Sequence, residues 1–163
     1  MQRRELFSSL AASVKNAGKE KQEKVIRPPY NNDESLFQSE CHKCDAKCAT
    51  HCETEIIKIA KDKTPYLDFT ANGCTYCDDC AVACEEGVLS VENKTKINAS
   101  VVINQTKCVS WEGVMCFSCK DPCLDNAIDF KAMFMPSIND NCTSCGFCIS
   151  RCPVEAIEVR GIE

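Results

Sequence analysis

Apolar positions along this chain come in short runs separated by polar turns. Ile56, Ile57 and Ile59 read as a strand, Lys61 to Pro65 as a turn, and Tyr66 to Phe69 as a second strand. Val88 to Val91 and Ser100 to Asn104 each read as a further strand. Ala127 to Phe130, the middle piece KAMFMP and Ser137-Ile138 predict another hairpin, with Met133, Phe134 and Met135 as its core. Ala156 to Val159 make a closing strand. A helical period is found near the start, where Leu6, Leu10, Val14 and Ala17 stand at i, i+4, i+8 and i+11 with Phe7 beside them. Arg3-Arg4 precede this amphipathic helix and Lys15, Lys19, Lys21 and Lys24 follow, so it is basic. Arg27-Pro28-Pro29-Tyr30 and Asn31-Asn32-Asp33 then read as a stiff break and a polar turn. No run approaches 18 apolar residues, and no membrane span is predicted.

Cysteine separates these runs. Group four, Cys142, Cys145, Cys148 and Cys152, has two, two and three intervening residues and is followed by Pro153. This C-x2-C-x2-C-x3-C-P run is a strong signature of a [4Fe–4S] cluster. Gly146 permits a tight turn beside the metal. Cys148 and Cys152 stand four apart, one above the other on a short helix, and need not reach the same cluster. Group two, Cys74, Cys77, Cys80 and Cys84, keeps the spacing with Glu85 in place of proline. Group one, Cys41, Cys44, Cys48 and Cys52, has one extra residue in its middle gap and Glu53 at the end. Group three, Cys108, Cys116, Cys119 and Cys123, carries the seven-residue insertion VSWEGVM in its first gap, which a surface bulge can absorb.

Cysteine group, hairpin, cysteine group, strand therefore occurs twice. The reading is an α+β fold of two tandem bacterial-ferredoxin-like 2[4Fe–4S] modules, small and metal-stabilised, at residues 31–95 and 96–163, after a basic helix and linker at 1–30. Glu92 to Asn98 form the connector. In two-cluster ferredoxins the fourth cysteine of one group serves the other cluster. Pairing neighbouring groups puts one cluster on Cys41, Cys44, Cys48 and Cys84 and a second on Cys74, Cys77, Cys80 and Cys52. A third then sits on Cys108, Cys116, Cys119 and Cys152, and a fourth on Cys142, Cys145, Cys148 and Cys123. Pairing group one with four and two with three also satisfies every iron; the hairpins favour the tandem arrangement.

Composition agrees. Sixteen cysteines in 163 residues fall in the range of metal or disulfide scaffolds. Without them the 44% hydrophobic fraction drops to about a third, meagre for a core of this size. Metal–thiolate bonds are then expected to replace part of the core. Disulfides need an oxidising compartment, and no convincing secretory signal is present. Arg3-Arg4 raise a twin-arginine export signal, but LFSSLAASV is weakly apolar and charges follow at once. Zinc sites space their cysteine pairs more widely than these compact groups of four. Residues 1–30 carry seven Lys/Arg against three Glu, and the remainder twelve against twenty-one Asp/Glu, for the net −5. An acidic body argues against nucleic-acid binding.

His42 and His51 read as exposed neighbours of ligands, because four cysteines already suffice. Tyr76, Phe117 and Phe147 read as covers that keep water from a cluster. Asp78, Asp79, Glu85 and Glu86 make a local acidic patch, solvated or available to a basic partner. Trp111 lies in the insertion and fits core or surface. No catalytic residue stands out, since the chain has no phosphate loop or flavin motif and both His lie in metal loops.

The order of RPPYNNDESLF, CHKCDAKCATHCE, CTYCDDCAVAC, the long-gapped CVSWEGVMCFSCKDPC and CTSCGFCISRCPVEAI, after Arg3-Arg4, resembles the NapF family. These are ferredoxin-type accessory proteins of the periplasmic nitrate reductase system. The extra residue between Cys44 and Cys48, and Glu85 after Cys84, depart from its pattern. The resemblance implies a cytoplasmic protein with four [4Fe–4S] clusters that binds the nitrate reductase catalytic subunit before export and serves its maturation. The basic terminus reads either as a solvated chain end or as a helix that docks on a partner. A general ferredoxin-type electron carrier to other redox enzymes is the alternative.

Overall fold

The computed structural model describes residues 24–162, so the basic amphipathic helix expected near the start lies outside the described residues. The elements in chain order are α1 (Ser35–Glu40), α2 (Lys47–Thr50), β1 (Ile57–Ile59), β2 (Pro65–Leu67), α3 (Asp79–Val82), β3 (Ala99–Ile103), β4 (Ile128–Lys131), β5 (Phe134–Ile138), α4 (Phe147–Ser150) and β6 (Ile157–Gly161). Single 3-10 turns cover Cys41–Lys43 and Val91–Asn93. Among the described residues, no helix is long and apolar enough to cross a membrane.

One backbone event follows every cysteine group. Three residues after the fourth cysteine the chain turns left-handed, at Glu55 (φ 56°), Gly87 (φ 68°), Asn126 (φ 49°) and Glu155 (φ 50°). A left-handed residue ends the preceding turn and redirects the chain. The next two residues run inward and are buried each time: Ile56-Ile57, Val88-Leu89, Ala127-Ile128 and Ala156-Ile157. The cysteine groups thus set where β1, β4 and β6 begin.

Three antiparallel pairs follow. β1 pairs with β2, Ile57 opposite Leu67, in the hairpin between groups one and two. β4 pairs with β5, Ile128 opposite Ile138, between groups three and four. β3 pairs with β6, from Ala99 opposite Gly161 to Ile103 opposite Ile157, and closes the C-terminal half. The expected strand at Val88 to Val91 is not formed. Its neighbour is Pro28-Pro29-Tyr30, whose prolines have no N–H for a ladder. The contact is reduced to Ser90 N–H on Tyr30 O (2.9 Å) and Asn31 Nδ2 on Val88 O (2.8 Å).

The stretch read as a stiff break is built into the core. Pro28, Pro29 and Tyr30 are buried. Ile26 O accepts the Leu67 N–H at 2.8 Å. The Arg27 guanidinium donates to Thr64 Oγ1 (2.8 Å) and Pro65 O (2.6 Å) and lies 4.8 Å over the Phe37 ring. Tyr30, Phe37, Ile56, Ile57, Leu67, Phe69, Val88 and Leu89 form one cluster with Ile97 and Ala99, against which Ile149 and Val159 pack. Both halves of the chain thus share an apolar core.

The second hairpin corrects another expectation. Met133 and Met135 are not its core: they are 55% and 44% exposed, while Phe134 is half-buried. The reason is the two-residue turn Ala132-Met133, both left-handed (φ 49° and 67°), which places Met133 at the tip. Such a turn favours Asn-Gly, and a side chain in that region costs about 1 kcal/mol or more. Replacing Ala132-Met133 by Asn-Gly is therefore expected to stabilise the loaded protein by about 1 kcal/mol. An anaerobic thermal melt that stays put or falls would show that the turn is not strained.

Candidate metal centres

The sixteen cysteines are all free thiols, so the disulfide reading is set aside. They surround four cavities. Cys41, Cys44, Cys48 and Cys84 line the first cage, and Cys52, Cys74, Cys77 and Cys80 the second. Cys108, Cys116, Cys119 and Cys152 line the third, and Cys123, Cys142, Cys145 and Cys148 the fourth. In each cage three cysteines come from one group and one from the neighbouring group. Cavity volumes are about 380, 340, 350 and 360 Å³ in that order, space open to solvent included. The remaining lining is largely apolar, for example Ile59, Pro65, Val88 and Leu89 around the first cage.

Short helices deliver this division. α2 holds Cys48 of the first cage, and the next turn brings Cys52 into the second. α3 holds Cys80 of the second cage and leads to Cys84 of the first. α4 does the same for Cys148 and Cys152. Each of these helices starts from a left-handed residue, Ala46, Asp78 or Gly146. The extra residue of group one is absorbed there: the left-handed position is the second residue after Cys44, against the first after Cys77 and Cys145. Group three has turns but no helix, and its insertion is held by Trp111 Nε1 donating to Pro136 O at 3.2 Å.

The fourth cysteines share a feature that their spacing does not announce. The Leu89 N–H points at Cys84 Sγ (3.3 Å), Ala127 N–H at Cys123 Sγ (3.3 Å) and Ala156 N–H at Cys152 Sγ (3.2 Å). Cys52 meets the Thr54 hydroxyl at 3.5 Å and the N–H groups of Ile56 and Ile57. Burial pushes the Cys52 thiol up, but these donors outweigh it and leave its pKa below the ordinary thiol value. The donors are the buried residues that follow the left-handed turn. The apolar pair after each group was the only trace of them in the sequence.

Elsewhere burial dominates. It pushes the thiols of Cys48, Cys74 and Cys119 up to about 11, and those of Cys80 and Cys148 up to about 12. Neighbouring cysteines add to the rise at Cys48, Cys80 and Cys148. Four thiolates crowded round a half-buried cavity repel one another unless a cationic group lies among them. Among the described residues, no three His, Cys, Asp or Glu side chains converge as one metal ion requires. The donor set is all sulfur, spread round a cavity and partly met by backbone N–H groups. That suits an iron–sulfur core better than a mononuclear zinc site.

The other singled-out residues divide. His42 and His51 are exposed and line none of the four cages. Phe147 lines the fourth cage, whereas Phe117 packs on Phe130 with ring centres 4.8 Å apart. Tyr76 is turned toward the other half of the chain, its hydroxyl donating to Thr143 O at 2.6 Å. The acidic patch is partly neutralised: Lys94 Nζ lies 2.7 Å from Asp78, and Lys47 pairs with Glu85.

Comparison with known proteins agrees with this geometry. The family model for the 4Fe-4S binding domain matches residues 136–158, which contain all of group four. The ferredoxin-type protein NapF of Escherichia coli (strain K12) is 35% identical over 137 residues, covering 81% of this chain and 82% of the relative. Its namesake from Haemophilus influenzae is 31% identical over 163 residues, with 96% and 90% covered. The ferredoxin-type protein NapG of Escherichia coli (strain K12) is 29% identical over 160 residues, with 83% and 69% covered. Sulfur-only cages, the matched cluster-binding segment and these relatives lead to one conclusion: the chain belongs to the NapF family of ferredoxin-type proteins, iron–sulfur electron carriers with [4Fe–4S] clusters.

Proposed function

We propose that this chain is a cytoplasmic protein carrying four [4Fe–4S] clusters in two tandem bacterial-ferredoxin-like modules, residues 31–95 and 96–163. It binds the catalytic subunit of the periplasmic nitrate reductase before export and assists its maturation by electron transfer. The observation that carries the cluster count is the division of sixteen thiols into four cages of four, each completed by a cysteine from the neighbouring group. The likeness to NapF proteins supports the partner.

A bound [4Fe–4S] cluster takes up and releases one electron. The residues of the chain set the conditions. Four cysteines per cage leave no open position for a substrate, so the reading is electron transfer rather than catalysis at iron. N–H groups of Leu89, Ala127 and Ala156 offset negative charge on Cys84, Cys123 and Cys152 and thereby favour the reduced state. Apolar neighbours such as Val88 and Leu89 limit water beside the first cage.

Anaerobically purified protein is expected to hold roughly sixteen irons and as much sulfide, four per cubane. Cys41→Ser and Cys84→Ser should each remove about four irons, and the double variant no more than either alone, because both residues line one cage. A double variant that loses about eight would place them in different clusters.

The partner is tested by co-purification. The loaded chain should retain the immature nitrate reductase catalytic subunit and not the exported form. Failure to retain it, with fast reoxidation by unrelated acceptors, would make the protein a general electron carrier.

A further inference from the structure

The two halves of the chain meet where group two lies on group four. The Cys74 N–H donates to Cys145 O at 2.6 Å, a backbone bond between a ligand of the second cage and one of the fourth. Beside it the Tyr76 hydroxyl donates to Thr143 O (2.6 Å) and accepts the Ile97 N–H (3.1 Å). Ser144 Oγ donates to Ala99 O at 2.6 Å and ties the same loop to β3.

Two glycines make the approach possible. A Cβ on Gly73 would stand 2.5 Å from Phe147 N and 2.7 Å from Cys145 O. A Cβ on Gly146 would overlap the ring of Phe69, the buried residue two places beyond β2. Gly146 is also left-handed, at φ +87°, so it has two reasons to lack a side chain.

Within each half the cages are joined more directly. Cys48 on α2 and Cys52 two residues past its end, like Cys80 on α3 and Cys84 two residues past its end, lie on opposite sides of the division between the first and second cages. Four residues of chain span at most about 14 Å. α2 and α3 also pack on each other. Cys148 and Cys152 stand in the same relation between the fourth and third cages.

We propose that Gly73, Tyr76 and Gly146 form a junction linking the four cages into one relay in the order first, second, fourth, third. This inference rests on the four-cluster reading above. One electron enters at an end from an external one-electron donor. At each step one reduced centre is oxidised and its neighbour reduced by the same electron, which leaves at the other end to an external acceptor. No covalent bond is made or broken, and no proton transfer is required. The ends of the relay belong to groups one and three, whose spacings are irregular. The junction belongs to groups two and four, whose spacings are regular. Gly73, Tyr76 and Gly146 are positioning residues: they hold two cages together and ligate neither.

The test uses the full chain, loaded without oxygen, as wild type, Gly73→Ala and Tyr76→Phe. Three quantities are measured: iron content, amide exchange at Cys74, and spin–spin broadening in the electron paramagnetic resonance spectrum of the fully reduced protein. Gly73→Ala should keep its iron, lose protection of the Cys74 amide and give a narrower spectrum as the coupling between the halves is removed. Tyr76→Phe, which leaves the loop backbone unaltered, should show both changes to a smaller degree and decides the matter if Gly73→Ala fails to load. An unprotected Cys74 amide in the wild type would remove the junction. A spectrum unchanged in a variant that keeps its iron and loses the protection would show that the contact does not couple the cages. Wild type with fewer than roughly sixteen irons would instead sink the four-cluster reading, while amide exchange would still report on the junction.

Discussion

The fold depends on a division of labour within each cysteine group. The third and fourth cysteines are four residues apart, close enough in the chain to serve adjacent cages. In groups one, two and four a four-residue helix holds the third cysteine in one cage and ends two residues before the fourth, which enters the next. No group can then complete its own site. Each half must fold as a pair of groups, and the hairpin between them brings the pair together. Small apolar clusters are then expected to suffice, because shared cages would fix the geometry along with packing. The left-handed residue after each group completes the device, turning the chain so that two apolar residues bury and an N–H faces the fourth sulfur.

Much of this was legible in the sequence. β1, β4 and β6 begin within a residue of the apolar runs that directly follow a cysteine group. The sequence left two pairings of the groups open, and the hairpins favoured the tandem one. What stayed hidden depended on contacts distant in the chain. Val88 to Val91 has the composition of a strand, but the two prolines that deny it a ladder lie some sixty residues earlier. Met133 and Met135 look like hairpin core until the turn is known to have only two residues. Phe69 and Gly146 carry no local sign that they touch.

The regular and irregular groups fall in a meaningful order. Groups two and four keep the two-two-three spacing, and their loops are in backbone contact through Cys74 and Cys145. An inserted residue there would shift the left-handed positions that let the loops approach. Groups one and three carry the extra residue and the seven-residue insertion, and lie away from that contact. Irregularity is tolerated where a loop faces outward and has to satisfy only its own cage. In group three the insertion exposes Val114 and Met115, and Leu124 lies open beside Cys123. The irregular spacings thus belong to the two groups outside the Cys74–Cys145 contact, and the regular ones to the two groups that make it.

Cluster binding and folding are linked through the thiols. Burial holds Cys48, Cys74, Cys80, Cys119 and Cys148 in their neutral form far above neutral pH. Metal ligation requires the thiolate, so iron must supply the free energy that ionises them, and their protons leave as the cluster forms. The same burial excludes water and strengthens the hold of cationic iron on sulfur once it is bound. Without metal the cages would be half-buried cavities of neutral thiols enclosed by a core too small to stand alone. An unloaded chain is thus expected to hold groups two and four in contact poorly, so the contact between the halves depends on the same thiols that would bind metal.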